Sequence, residues 1–133
     1  MKKVLITGGA GYIGSHTTLA FLNADYEVVV LDNFSNSFPE SIKRVTELAG
    51  RTPVLFEGDV ADEKVLNSLF STHPDIEAVI HFAALKAVGE STEYPLKYYR
   101  NNVSGSISLL QAMESVGVNH LVFSYFLDVM FRL

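Results

Sequence analysis

The chain of 133 residues contains no cysteine, which excludes disulfides and thiolate metal sites and gives no sign of a secreted, oxidising compartment. Positive charge is also scarce. Ten Lys and Arg stand against fifteen Asp and Glu, for a formal net charge of −5. A nucleic-acid partner is therefore disfavoured, because the phosphate backbone attracts basic faces. Long apolar runs are missing as well. After Met1-Lys2-Lys3 only Val4-Leu5-Ile6 is continuously apolar, whereas a signal peptide needs about 7–15 such residues and a membrane span about 20. The expectation is a soluble cytoplasmic protein with no membrane partner. What is present is ordinary for a globular domain: 48% hydrophobic and 19% charged residues, in a length that suits one compact core.

Two kinds of apolar pattern alternate along the chain. Val4-Leu5-Ile6, stopped by glycines, predicts a strand buried on both faces. A helix is expected from Tyr12 to about Asn23, with Ile13, Thr17, Ala20 and Phe21 at helical spacing. Val28 to Leu31 predicts a second buried strand. Residues 39–49 follow as a helix with Pro39 in its first turn, Ile42, Val45 and Leu48 on one face, and Gly50 as its stop. Val54-Leu55-Phe56 predicts a third strand, Asp62 to Ser71 a helix with Val65, Leu66, Leu69 and Phe70 inward, and Ala78 to Phe82 a fourth strand. A long helix is expected from Tyr94 to Val116, then a fifth strand at Leu121-Val122-Phe123. Strands separated by helices imply right-handed crossovers and a doubly wound parallel α/β sheet of Rossmann type, in the order 3-2-1-4-5. Ligands gather at the carboxyl ends of strands 1 and 4, where the winding reverses.

The strongest local signal is Gly8-Gly9-Ala10-Gly11-Tyr12-Ile13-Gly14. Gly9, Gly11 and Gly14 fit G-x-G-x-x-G, and Gly8, Gly11 and Gly14 fit G-x-x-G-x-x-G. Glycines there allow the tight turn and the close approach of backbone to a pyrophosphate, which the following helix attracts with its free N–H groups. An acidic chain can hold an anion in this way without lysine. No Gly-Lys-Ser/Thr is present, so a P-loop nucleotidase is disfavoured. Asp32 ends the second strand 18 residues after Gly14, where an acid accepts from the hydroxyls of an adenosine ribose and repels a 2′-phosphate. With no arginine beside it, NAD is favoured over NADP.

Other residues carry weaker signals. Asp59 and Val60 after the third strand could grip adenine, and Asp59 could equally be the N-cap of the next helix. The fourth strand opens into His81-Phe82-Ala83-Ala84-Leu85-Lys86-Ala87-Val88-Gly89-Glu90-Ser91. Its small residues let a cofactor lie against backbone, and Lys86 is the one cation near that loop. His81 on an apolar strand reads as a satisfied core or edge histidine, and no metal site is expected. Asn101-Asn102 inside a helix points to use of the side chains or to a local distortion, Gly105 to close packing or a kink, and Tyr94, Tyr98 and Tyr99 to packing.

Four segments closely resemble the bacterial UDP-glucose 4-epimerase family, within the extended short-chain dehydrogenase/reductase superfamily. They are Thr7 to His16, Leu31 to Asn36, Glu57-Gly58-Asp59 and, most specifically, His81 to Ser91. The resemblance covers residues 1–124. It implies a tightly held NAD, a UDP-hexose substrate epimerised through transient oxidation at C4, and a homodimer. Besides Gly8, Gly11 and Gly14, it implies cofactor contacts from Tyr12, Ile13, Asp32, Asn33, Phe34, Ser35, Asn36, Ser37, Asp59, Val60, Phe82, Ala83, Ala84, Leu85, Lys86, Asn101 and Ser124, with Lys86 and Asn101 near the reacting centre. A 4,6-dehydratase of nucleotide sugars would share the glycine loop and Asp32 but not Leu85 to Ser91. A non-catalytic NAD-sensing domain is the third alternative.

The family continues after Ser124 with Ser-Ser-Ala-Thr-Val-Tyr-Gly, whereas this chain reads Tyr125 to Leu133, with Phe126 in place of the hydroxyl residue. The family's Tyr-x-x-x-Lys pair and sugar-binding domain are expected beyond residue 133, so residues 1–124 are read as an incomplete NAD-binding domain and 125–133 as a divergent apolar tail. A frameshift, truncation or mis-called reading frame is the expected origin. The coding DNA across codon 124 tests it: a shifted frame should restore Ser-Ala-Thr-Val-Tyr-Gly, and its absence would overturn the reading. The purified 133-residue chain is expected to be poorly soluble or oligomeric, because an apolar edge and tail invite association. It should also leave UDP-galactose unconverted, and measurable turnover would refute this.

Overall fold

Branched apolar residues at successive positions of Val4–Ile6 and Val28–Leu31 leave neither face of those segments suited to water, and both become central strands. The computed structural model describes residues 1–35, 37–82, 96 and 100–124. In chain order these form β1 (Lys3–Thr7), α1 (Tyr12–Asn23), β2 (Glu27–Asp32), α2 (Pro39–Ala49), β3 (Val54–Glu57), α3 (Glu63–Thr72), β4 (Ile76–His81), a π-helical turn (Arg100–Ser104), α4 (Gly105–Val116) and β5 (His120–Phe123). The five strands make one sheet in the order β3-β2-β1-β4-β5, and every pairing is parallel. This is the doubly wound arrangement that the alternation of strands and helices predicts.

The register sorts side chains between two cores. Leu5, Val29, Leu31 and Val79 point to the face covered by α3 and α4, where Leu66, Leu69, Phe70, Leu109 and Met113 complete one buried cluster. Val4, Ile6, Val28, Val30 and Ile80 point the other way, against Leu22, Ile42 and Val45 of α1 and α2. Alternation along a strand sends neighbours to opposite faces, so a continuous apolar run is what a two-sided sheet requires.

Two expected helix faces shift. In α1 the buried residues are Gly14, Thr18 and Leu22, and Ile13 is exposed. The inward face lies one position later than Ile13 and Thr17 suggest, because α1 packs its small residues against the glycine loop rather than its largest ones. In α2, Ile42 and Val45 are buried as expected, but Leu48 is 72% exposed; Ala49 beside it is the residue of the last turn that packs against the core, and Gly50 ends the helix in the left-handed region at φ 67°. In α3 the expected inward residues hold, with Leu66 and Leu69 fully buried. Its N-cap is Asp62, whose Oδ1 accepts from the amides of Lys64 at 3.0 Å and Val65 at 3.4 Å. The distortion expected at Asn101-Asn102 is the π-helical turn itself. Gly105 follows it at close quarters: a Cβ there would stand 2.9 Å from Val60 Cγ1. Among the described residues no helix is long and apolar enough to cross a membrane.

Both sheet edges carry exposed apolar residues, Val54 and Leu55 on β3 and Val122 and Phe123 on β5. At the amino end of the sheet Lys3 Nζ lies 2.9 Å from Asp75 Oδ1 and 3.4 Å from Glu27 Oε2. These carboxylates raise the Lys3 pKa, and Lys3 in turn holds the Asp75 carboxyl below its ordinary value. Half-buried His73 sits at the carboxyl end of α3. Its pKa is lowered from the ordinary 6.5, first by burial and then by the charge of Lys3, while Asp75 and Glu27 pull it upward.

Two outcomes follow from this packing. Leu66→Ala should cost about 2–5 kcal/mol in urea unfolding, the usual range for a leucine removed from a filled core. Because the folded His73 pKa is depressed, the unfolded chain binds a proton that the folded one does not, so this contribution is full above about pH 6.5 and declines as acid is added. The urea midpoint should fall between about pH 7.5 and pH 5.5, and fall less in His73→Asn.

Candidate functional site

The register sets Phe56, Leu31, Thr7, His81 and Phe123 abreast across the sheet. The segments that follow these strands therefore emerge along one edge: the glycine loop, Asp32 to Ser37, Gly58 to Val60, Phe82 and Ser124. The Phe82 amide donates to the Thr7 carbonyl at 2.8 Å, and the Ser124 amide to the His81 carbonyl at 3.2 Å, which ties those loop starts to the same row.

The glycine loop turns at Gly8, whose φ of 71° lies in the left-handed region. Its amide donates to the Leu31 carbonyl at 2.7 Å, and its carbonyl accepts from the Gly11 amide at 3.1 Å. Gly14 brings α1 against this turn so closely that a Cβ there would run into the Gly8 carbonyl oxygen, and a Cβ at Gly11 would stand 3.3 Å from the same atom. Buried Thr18 closes the loop by donating to the Gly14 carbonyl at 2.8 Å. No side chain caps α1 and no acid stands in its first turn. Tyr12 and Ile13, the first helical residues, are exposed, with the Tyr12 ring edge-on to His16 at 5.2 Å. An uncapped helix start with its positive dipole end suits an anion.

Asp32 stands beside this loop and is only 7% exposed. Its Oδ2 accepts from the Ala10 amide at 3.0 Å, and its Oδ1 from the Phe34 amide at 2.8 Å and the Ser37 hydroxyl at 2.9 Å. The same carboxylate thus joins the β1–α1 loop to the β2–α2 loop. Phe34 has φ 57°, a conformation that costs a residue with a large side chain about 1–2 kcal/mol, offset in part by its bond to Asp32. Asn33 turns its own loop, accepting from the Ser35 amide at 3.0 Å.

After β3, Asp59 does not cap α3, which corrects one of its two expected roles. Asp62 has the cap because its carboxylate reaches the free amides of the first turn, whereas Asp59 Oδ1 accepts from Ala61 at 2.9 Å in the preceding turn. The Val60 side chain is buried in the core beside α4. His81 is 1% exposed and bonded to Thr7 Oγ1 through Nδ1 at 2.6 Å. On its other side Nε2 lies 3.4 Å from Ser106 Oγ, which donates to the Asn102 carbonyl at 2.7 Å. His81 is thus a satisfied core residue that links β1, β4 and the π-helical turn. The sequence reading did not single out Thr7, Thr18 or Ser106, although a hydroxyl inside an apolar strand or helix is a usable signal for a buried bond. Asn36, Ala83, Ala84, Leu85, Lys86 and the Asn101 side chain lie outside the described residues, as do Tyr94, Tyr98 and Tyr99.

Residues 4–125 match the profile of the NAD dependent epimerase/dehydratase family. The chain belongs to that family. Among members of the family, it is 58% identical over 122 residues to the UDP-glucose 4-epimerase of Erwinia amylovora, a match that covers 92% of this chain and 36% of that one. Its fold is similar to the UDP-glucose 4-epimerase from Stenotrophomonas maltophila, crystallised with NAD and formylated UDP-arabinopyranose. That match has a TM-score of 0.92 and 44% identity, over 97% of this chain and 38% of that one. The Bifidobacterium longum UDP-glucose 4-epimerase in complex with NAD+ and UDP also gives a TM-score of 0.92, at 41% identity, over 95% of this chain and 37% of that one. The chain spans little more than a third of the length of these relatives.

The fit of α1 against the Gly8 turn gives a direct test. Gly14→Ala should lower stability by about 1–3 kcal/mol in urea unfolding, as overpacking against immovable backbone does. An unchanged midpoint would show that the loop can move aside.

Proposed function

We propose that residues 1–124 are the NAD-binding part of a UDP-glucose 4-epimerase. The observation that carries this reading is the Asp32 carboxylate, held at the end of β2 by the Ala10 amide of the glycine loop at 3.0 Å. It sets a ribose acceptor beside a pyrophosphate cradle. The residues present fit the cofactor in three respects: backbone fills the space that a Cβ at Gly14 would need, the helix start behind it is uncapped and free of acid, and Asp32 disfavours a 2′-phosphate. The similarity to epimerases crystallised with NAD supports the same reading.

In this reading the glycine loop and the first amides of α1 bind the pyrophosphate, and Asp32 orients the adenosine ribose. Asp59 lies where the adenine amino group would be met. Phe82 and Ser124 begin the segments nearest the nicotinamide end, since β4 and β5 lie on the far side of β1 from β2. A bound NAD would supply reversible hydride transfer at C4 of a UDP-hexose. Lys86 and Asn101 are assigned near that centre by the resemblance of Leu85 to Ser91 and of the paired asparagines. Proton transfer from the 4-hydroxyl, recognition of the hexose, a homodimeric assembly and a cytoplasmic location belong to the same proposal for the whole enzyme.

Asp32→Ala should weaken NAD binding at least about tenfold in a calorimetric titration, the effect of losing a charge-assisted hydrogen-bond acceptor. Asp32→Asn keeps the side chain's shape but sets an NH2 group where one oxygen accepts from a backbone amide, so it loses a link between the loops as well as the charge and should also weaken binding. Equal affinity in both variants would sink the ribose assignment.

A further inference from the structure

The buried imidazole of His81 touches three elements. Nδ1 lies 2.6 Å from Thr7 Oγ1 at the end of β1, and Nε2 lies 3.4 Å from Ser106 Oγ in α4. The Phe123 ring of β5 packs against it with centroids 5.2 Å apart. Protons along this path run one way. Ser106 has a single hydroxyl proton and gives it to the Asn102 carbonyl at 2.7 Å, a group that can only accept. Toward the ring Ser106 therefore accepts, and Nε2 carries the imidazole proton. Nδ1 of that neutral tautomer is an acceptor, so the Thr7 hydroxyl donates to it. Thr7 Oγ1 accepts in turn from the Phe82 amide at 3.2 Å.

The two ends of the path stand where the two halves of a dinucleotide would lie. Thr7 directly precedes Gly8, whose turn opens the pyrophosphate cradle. Asn102 belongs to the π-helical turn Arg100–Ser104. β4 and β5 are parallel, so α4 runs back from the carboxyl edge of the sheet, and the π-helical turn before it stands at that edge. It lies on the far side of β1 from Asp32. Such turns are uncommon and concentrate at functional sites. Building on the NAD reading, we infer that His81 and Ser106 are positioning residues for the nicotinamide half of the cofactor. The one-way path from Thr7 to Asn102 sets the π-helical turn at a fixed distance from the glycine loop.

This role separates the two halves of the ligand. The adenosine diphosphate half is read onto the glycine loop, Asp32 and Asp59, which follow β1, β2 and β3. The path ends beyond β4, in the turn that carries Asn101. Removing the Ser106 hydroxyl cuts the path at its last link and leaves the cradle as it was. The π-helical turn then loses its tie to β1, and only the nicotinamide half feels the change. A role confined to folding makes no such distinction: it would alter stability, and it would weaken both halves alike or neither.

The test is calorimetric titration of the 133-residue chain with NAD and with adenosine diphosphate, for the wild type, Ser106→Ala, Ser106→Thr and His81→Phe. Ser106→Ala should bind NAD about three- to tenfold more weakly, the equivalent of one net hydrogen bond, with adenosine diphosphate binding unchanged. Ser106→Thr keeps the hydroxyl and should restore wild-type affinity for NAD. His81→Phe should show the same split, and Ser106→Ala, at a half-buried helix position, decides the matter where the buried variant does not fold. Proton–nitrogen correlation spectra of the wild type should place the His81 ring proton on Nε2 alone. A neutral ring protonated on Nδ1 would reverse the path and overturn the inference. So would equal losses for both ligands, no loss for NAD in a folded variant, or a Thr variant as weak as the Ala one. Each of these leaves the NAD reading intact. Failure of the wild type itself to bind NAD would instead sink that reading, and the positioning role with it.

Discussion

The parallel ladder of β1 with β2 on one side and β4 on the other is the constraint on which everything else depends. Its register places Thr7 opposite Leu31 and His81, so the chain leaves three adjacent strands at the same height. Because both faces of these strands are covered by apolar side chains, a slip of one residue would turn each core set toward the wrong layer. The ladder is thereby locked. A locked ladder lets short loops from distant parts of the sequence meet along one edge, and that is what an extended ligand needs from its binding edge.

Within that edge, satisfaction of polar groups shapes the site as much as ligand chemistry does. Asp32 joins two loops through three donors, and His81 joins two strands to the π-helical turn through Thr7 and Ser106. Each is a buried polar group whose partners come from elements far apart in sequence. Burial makes an unmade bond costly, so each network resists displacement of the loops it connects. The π-helical turn fits the same picture: it follows β4 in the chain and holds Ser106 against His81, while Gly105 lets Val60 approach. A wide turn at that point redirects the backbone without breaking the helix that backs the core.

The match between sequence and structure is closest where a local rule has no competitor. Pro39 and Gly50 bound α2 where proline and glycine are suited to the first turn and the stop. The parallel pairing of the strands follows from alternation alone. The mismatches arise where two rules compete. Asp59 and Asp62 are both plausible caps by residue type, and only the position of the first free amides decides for Asp62. Leu48 obeys helical spacing yet is exposed, and Ala49 rather than Leu48 packs against the core. In α1 the largest residues predict one face, and the need to press Gly14 onto Gly8 selects another.

The sequence by itself determined the layers, the strand order, the glycine loop and the acid that ends β2, because each is written in periodicity or in residues with few conformational alternatives. The family resemblance is likewise a property of contiguous motifs. Tertiary structure alone decided which atoms face which. That Asp32 Oδ1 accepts from Phe34 and Ser37, that His81 is bonded to Thr7, and that Val60 fills core beside Gly105 depend on distances between segments that no local pattern encodes. The physical reason is the same in each case: a hydrogen bond or a packing contact is fixed to tenths of an ångström, whereas periodicity fixes only a face.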